Sequence, residues 1–433
     1  MAEREVFSYP ERRLDRLLGI AGRLERVARA LPRLRPALLR QWRRGKQAPR
    51  PAVAPAAGAE ASGSPILYLP AVAWHYRFQR PQQLALALAR AGHPVLYVDG
   101  FLRSRLLPDR AVLESHGALR VLRVRVPGRP DPYREILGEA AASHLAGVLL
   151  TGLGGRRPAM ILVQLPFWAA LGRELARRTG APLVYDRIDL HTGFPGVPAA
   201  LAEAEAALMR EAGLVAATAG LLAEEPRRLG ARVVVVPNAV ELTAFRGREP
   251  KDRRDGQDRP TVGYVGALGP WFDVEALRAA AEAHPDWRFR LAGRIESPEV
   301  ETLGRLPNVE TLGEIPFSEV PAFLAGLDVA LVPFRDLPLT RAVDPVKLYE
   351  ALAMGLPVVA RRLPETERWR EPAVFLYGSE GDFVSQVERA LEARGPEMAA
   401  ERRGLADGET WDRRAGDLLA ATPTLQQNNS PQG

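Results

Sequence analysis

The chain has 433 residues, no cysteine and a formal net charge of +7; at this length a single core has normally stopped growing, so two domains are expected. Without cysteine there are no disulfides, thiolate nucleophiles or zinc–thiolate sites, and no run of 18 or more uncharged apolar residues offers a transmembrane helix. The positive charge is concentrated in residues 1–50, where 14 Lys or Arg face 5 Asp or Glu. The rest is slightly acidic, which argues against a nucleic-acid enzyme with basic residues spread over its body.

In chain order, residues 1–46 read as a basic amphipathic segment, with Leu14, Leu17, Leu18, Leu24 and Leu31 near one helical stripe among arginines. Residues 47–64, rich in Ala, Pro, Gly and Ser, read as a linker. A β-α-β unit follows: a buried strand at 66–69, a helix opened by Pro81 and closed by Gly92, and the strand "PVLYVD". Strands at 159–166 and 182–189, a helix at 199–212, and the strands "LVAAT" and "VVVVPN" complete a first α/β domain, 65–245. The polar stretch 246–260 reads as the interdomain linker. A second α/β series spans 261–399, then a charged helical stretch at 400–421 and a polar tail at 422–433 expected to be disordered.

Open α/β domains bind ligands at the carboxyl ends of their strands. At one such place stands "VDPVKLYEALAMGLPVVA", residues 343–360. Asp344 reads as a helix N-cap and Pro345 as the first helical residue, a start whose free N–H groups favour a phosphate. Lys347 adds a cation there, and Glu350, three residues on, shares its face and suits a ribose diol. A capped helix with a surface Lys–Glu pair is the plain alternative. Gly263, Gly266 and Gly269 in "GYVGALGPWFD" cluster at a strand end without forming a dinucleotide fingerprint, and Arg294 ends a neighbouring strand. In the first domain, "WHYRFQRPQQ" offers aromatic rings and Arg77 and Arg80 to a sugar or an acidic group, or simply packs on the next helix. "YDRIDLHTGFP" sets Asp186 and Asp189 at a strand end with His191 beyond; one of these carboxylates suits a general base, and Asp189 lies further out. There is no Asp-x-Asp, phosphate-loop or His-Glu-x-x-His motif, so no metal is expected and basic groups are left to neutralise a leaving diphosphate.

From about residue 64 to 379 the chain resembles the group 1 (family 4-like) glycosyltransferases of the GT-B fold, closest to the bacterial subgroup of teichuronic acid biosynthesis. The resemblance is carried in order by "WHYRFQRPQQLALALARAGHPVLYVD", "VYDRIDLHTGFP", "VVPNAVEL", "VGYVGALGPWFDVEAL", "LPNVETLGEIPFSEVPAFLAGLDVALVPF" and "DPVKLYEALAMGLPVVA". It implies two Rossmann-like parallel-sheet domains facing across a cleft, with a nucleotide-sugar donor, UDP- or GDP-linked, on the second. Lys347 and Arg294 would meet the phosphates, Glu350 the ribose, and Gly266 and the backbone of Gly313–Ile315 the rest of the donor, with the base at Gly313 and Ile315. The acceptor would lie against Trp74, Arg77, Gln79 and Arg80, with Asp189 as the catalytic carboxylate. The last helix would cross back to the first domain. The family's Glu-x7-Glu pair is incomplete: its second member matches Glu350, but Ala342 stands in place of the first, and Gly213 and Ala219 replace residues that relatives often carry as Asp and Ser.

The resulting expectation is a metal-independent, cofactor-free glycosyltransferase acting on a cell-envelope polysaccharide or a glycan on a polyprenyl lipid. The alternatives are a nucleotide-sugar epimerase or hydrolase on the same fold, or a non-catalytic GT-B scaffold. A cytoplasmic protein is expected, with no nucleic-acid partner. Residues 1–46 either contact the anionic inner leaflet, making the protein peripheral on the membrane, or pack on the body.

Overall fold

The computed structural model describes residues 62–100, 110–126, 130–194, 196–247 and 259–423. The expected basic segment 1–46, most of the linker 47–64, the middle of the linker 246–260 and nearly all of the tail lie outside them. Among the described residues no helix is long and apolar enough to cross a membrane.

Short apolar runs such as "ILYL" and "MILV" are buried along their whole length, as strands covered on both faces must be. The first sheet comprises β1 (Ile66–Leu69), β2 (Val95–Asp99), β3 (Arg110–His116), β4 (Leu119–Val124), β5 (Met160–Val163), β6 (Leu183–Arg187), β7 (Leu214–Ala217) and β8 (Val233–Val235). Its order is β3-β4-β2-β1-β5-β6-β7-β8. All pairings are parallel except β3 with β4, a hairpin turned at Gly117 that the sequence reading does not contain. The second sheet comprises β9 (Thr261–Val265), β10 (Arg288–Ala292), β11 (Val309–Gly313), β12 (Val329–Val332), β13 (Val358–Arg361) and β14 (Val374–Tyr377). It is ordered β11-β10-β9-β12-β13-β14 and is parallel throughout. Renumbered from its first strand, this is the doubly wound order 3-2-1-4-5-6, whose direction reverses between β9 and β12. The crevice beyond the carboxyl ends of those two strands is therefore where a ligand belongs.

The end of the chain joins the two halves. The helix Trp411–Ala421 follows the second sheet, yet Trp411, Ala415 and Leu418 sit in the core of the first, beside Leu84 and Leu88. A tryptophan buried this fully is worth about 3–5 kcal/mol over alanine. Arg414 of the same helix donates to the Asn238 carbonyl, just after β8.

Candidate functional site

Three strand ends of the second sheet meet backbone to backbone. Gly266 follows β9 with φ 144°, and a Cβ added at Gly293, after β10, would lie 1.7 Å from the Gly266 oxygen. Gly293 in turn donates its N–H to Gly313 at the end of β11, at 2.7 Å. No larger residue fits at Gly293, so the backbones after β9 and β10 approach closely. Gly263 has a different reason: its missing Cβ makes room for Leu327 in the core.

Lys347 reaches the same place from the helix Val346–Met354; its Cε is 2.9 Å from where a Gly266 Cβ would be. Its ammonium lies 5.3 Å from the Tyr264 ring centroid and 5.0 Å from that of Phe334, at the ends of β9 and β12. The surroundings displace water from it and push it down to about 8, against the opposing pull of Glu350. Glu350 is 8% exposed, and burial lifts its carboxyl to about 7, with Lys347 opposing. Neither side chain has a hydrogen-bonding or ion-pair partner among the described residues. Arg294, half-buried beside Gly293, has none either. Two cations and a carboxylate thus stand at the strand ends beside the β9/β12 crevice with no hydrogen-bond or ion-pair partner among the described residues, the arrangement expected of a ligand site.

Asp344 departs from expectation. The helix is capped by Pro345, with no side-chain cap, and Asp344 is 2% exposed. Its Oδ2 accepts from the Asn238 N–H at 2.6 Å and the Tyr349 hydroxyl at 2.7 Å, fastening the helix start to the first half of the chain. The helix N–H groups stay uncapped, which preserves their pull on an anion.

The loop after β1 is also used differently from the sequence reading. Trp74 is 5% exposed, edge-on to Tyr97 at 5.0 Å and against His116 at 5.1 Å. Arg80, 4% exposed, grips Asp186 through two hydrogen bonds of 3.1 and 2.7 Å and bonds Asn238 as well. Both side chains are thus held in the interior of the first domain. Gln79 is the N-cap residue of the helix Arg80–Arg90. Arg77 leaves its own sheet altogether and pairs with Glu296 and Glu314 of the other. Phe78 follows it across, 5.0 Å from Phe317. Ile315, after Glu314, is half-buried against the second core.

The two carboxylates of "YDRID" part company. Asp186 is fully buried and held by Arg80 and Gln164. Asp189, two residues past β6 and partly exposed, has no hydrogen-bond or ion-pair partner among the described residues. Burial raises its carboxyl to about 7, while Arg80 pulls it down and Glu205 adds to the rise. His191 is buried, which keeps it below its ordinary value.

A model of the group 1 glycosyl transferases matches residues 259–393, and one of the glycosyl transferase 4-like domain matches residues 79–239. The chain belongs to the group 1 glycosyltransferases. A relative named as a teichuronic acid biosynthesis glycosyltransferase, TuaH of Bacillus subtilis (strain 168), is 31% identical over 192 residues. That match covers 42% of this chain and 48% of TuaH, so the chain spans about half the length of this relative. The fold is GT-B. Sucrose-phosphate synthase from Thermosynechococcus elongatus superposes with a TM-score of 0.64 at 18% identity, covering 82% of this chain and 97% of that one. Anabaena Alr3699/HepE, solved with UDP and glucose, gives 0.56 at 16% identity, covering 83% and 98%.

Within this glycosyltransferase the position of the absent family carboxylate is closed. Ala342 is 1% exposed in an apolar cluster with Ala217, Ala219, Leu222 and Ala223 from the first half of the chain. Ala342→Glu is therefore expected to destabilise by about 3 kcal/mol or more, through an unpaired buried carboxylate. Thermal melting checks this; an unchanged melting temperature would show that the cluster opens to solvent. Ala219 also leaves the helix Gly220–Arg228 without a side-chain cap, and Glu365 of the other half supplies one by accepting the Gly220 N–H at 2.6 Å.

Proposed function

We propose that this glycosyltransferase moves a sugar from a nucleoside-diphosphate donor to a hydroxyl of a cell-envelope polysaccharide or lipid-linked glycan. The observation that carries the reading is that Lys347, Arg294 and Glu350, without a hydrogen-bond or ion-pair partner among the described residues, stand at the strand ends beside the β9/β12 crevice. Lys347, Arg294 and the uncapped helix start would bind the diphosphate, and Glu350 would accept hydrogen bonds from the ribose diol. The backbone at Gly313 and Ile315 would meet the base. In the transfer, the acceptor oxygen bonds to the anomeric carbon as the carbon–oxygen bond to the diphosphate breaks. The hydroxyl proton passes to Asp189, and the charge released on the diphosphate is held by Lys347 and Arg294. The TuaH name supports an envelope polysaccharide as product, and the UDP-bound Anabaena structure supports a uridine diphosphate donor, with a guanosine diphosphate donor as the other candidate. No cofactor enters this scheme.

A thermal-shift screen over nucleotide sugars tests it. A donor at a hundred times its Kd stabilises the native state by about 2.7 kcal/mol, so UDP- or GDP-linked sugars are expected to raise the melting temperature by several degrees. No shift with any nucleotide sugar would remove the donor site. A donor that is converted without acceptor would point to an epimerase or hydrolase.

A further inference from the structure

Arg77 belongs to the loop after β1, yet its guanidinium is spent on the second sheet. Its Nε donates to Glu314 at 2.7 Å and its Nη2 to Glu296 at 3.1 Å. Glu314 directly follows Gly313, and Glu296 lies two residues past Arg294, so both carboxylates stand at the strand ends assigned to the nucleotide. The Tyr264 hydroxyl, 3.0 Å from where a Gly266 Cβ would be, lies in the field of both Arg77 and Glu296. Tyr76, next in the loop, lies in the field of Arg294, Glu296 and Glu314. Glu296 also donates its N–H to the Leu268 carbonyl, two residues past Gly266, at 2.9 Å, so the ion-pair cluster borders the strand ends where the nucleoside diphosphate would lie.

A partly exposed ion pair contributes little to stability, and its side chains here are 27%, 19% and 50% exposed. What sets this one apart is its position. Two carboxylates bordering an anion site repel the anion unless a cation neutralises them. Among the described residues Arg77 is the ion-pair partner of both, and it comes from the opposite domain. The neutralising charge is thus present only when the two halves are together.

We propose that Arg77 couples closure of the cleft to nucleotide retention. Seated, it neutralises Glu296 and Glu314 at the border of the nucleotide site; withdrawn with its domain, it leaves both carboxylates to repel the nucleoside diphosphate product. This rests on the donor site proposed above. Opening would expel the product electrostatically, and closing would hold the donor, without either glutamate touching the reacting atoms.

Calorimetric titration of the full chain with UDP and GDP, at low and at high salt, tests it. Arg77→Ala is expected to weaken the preferred nucleotide about tenfold at low salt, a change of 1.4 kcal/mol, and less at high salt. Adding Glu296→Gln and Glu314→Gln to Arg77→Ala is expected to restore affinity to within about threefold of wild type, because the repulsion is then gone. The rescue also shows that the variants fold. Unchanged affinity in Arg77→Ala overturns the coupling. So does a triple variant as weak as Arg77→Ala, which would make Arg77 a direct ligand. If the wild type binds neither nucleotide, the donor-site reading itself has failed, a result distinct from both.

Discussion

Lys347→Ala is expected to lower kcat/KM for sugar transfer about a hundredfold or more. The removed ammonium faces charge that develops on the leaving diphosphate, and one such preorganised contact is typically worth about 3 kcal/mol. Glu350→Ala should act mainly on donor KM, by about tenfold, since a ribose contact is made equally before and during transfer. Kinetics with the donor found in the thermal screen would decide. Full activity in both variants would sink the assignment of this helix to the donor.

The same residue makes a second, opposite prediction about stability. The lysine's folded value, about 8, lies below its ordinary value, so between the two the unfolded chain binds the extra proton. The penalty of holding the charged ammonium is complete below about pH 8 and relieved as pH rises beyond it. Lys347→Met should therefore melt above wild type at pH 7 without ligand, while losing the nucleotide-induced shift. A residue that lowers apo stability and is retained by its ligand behaves as a binding residue rather than a packing one.

Some of this site was legible before any coordinates. Lys347 and Glu350 are spaced on one helix, Gly266 and Arg294 stand at the ends of apolar runs, and each of those patterns is local. The strand order that gathers them is not local, and neither are the partners that reassigned other residues. Asp344 before a proline has the local form of an N-cap, but Asn238, 106 positions away, supplies a stronger use for it. Arg80 reads as a loop cation until Asp186, also 106 positions away, is brought against it. Arg77 meets carboxylates 219 and 237 positions away. A charged side chain in a loop announces that it will pair, not with what. The β3–β4 hairpin was missed for a related reason: its residues alternate charged and apolar without the continuous apolar run that marks the interior strands.

Asp189→Asn carries the largest expected effect on chemistry. A positioned general base contributes about 10²–10⁴-fold, so kcat should fall by that factor with donor KM little changed. In the wild type, kcat/KM should rise with pH through about 7, where the carboxyl ionises, and the rise should vanish in the variant. The stability change has the opposite sign. A carboxyl whose folded value is raised contributes stability that is complete below its unfolded value, near 3.9, and is lost as pH rises through about 7. Asparagine, neutral throughout, escapes that loss. At pH 8 the variant should melt above wild type, and near pH 5 the difference should shrink. Lower activity with a higher melting temperature cannot come from damage to the fold, so the pair of measurements isolates the chemical role. Transfer undiminished in Asp189→Asn would take the proton away from this carboxylate and leave the departing phosphate to receive it, with Lys347 and Arg294 then acting on the proton acceptor as well as on the leaving group.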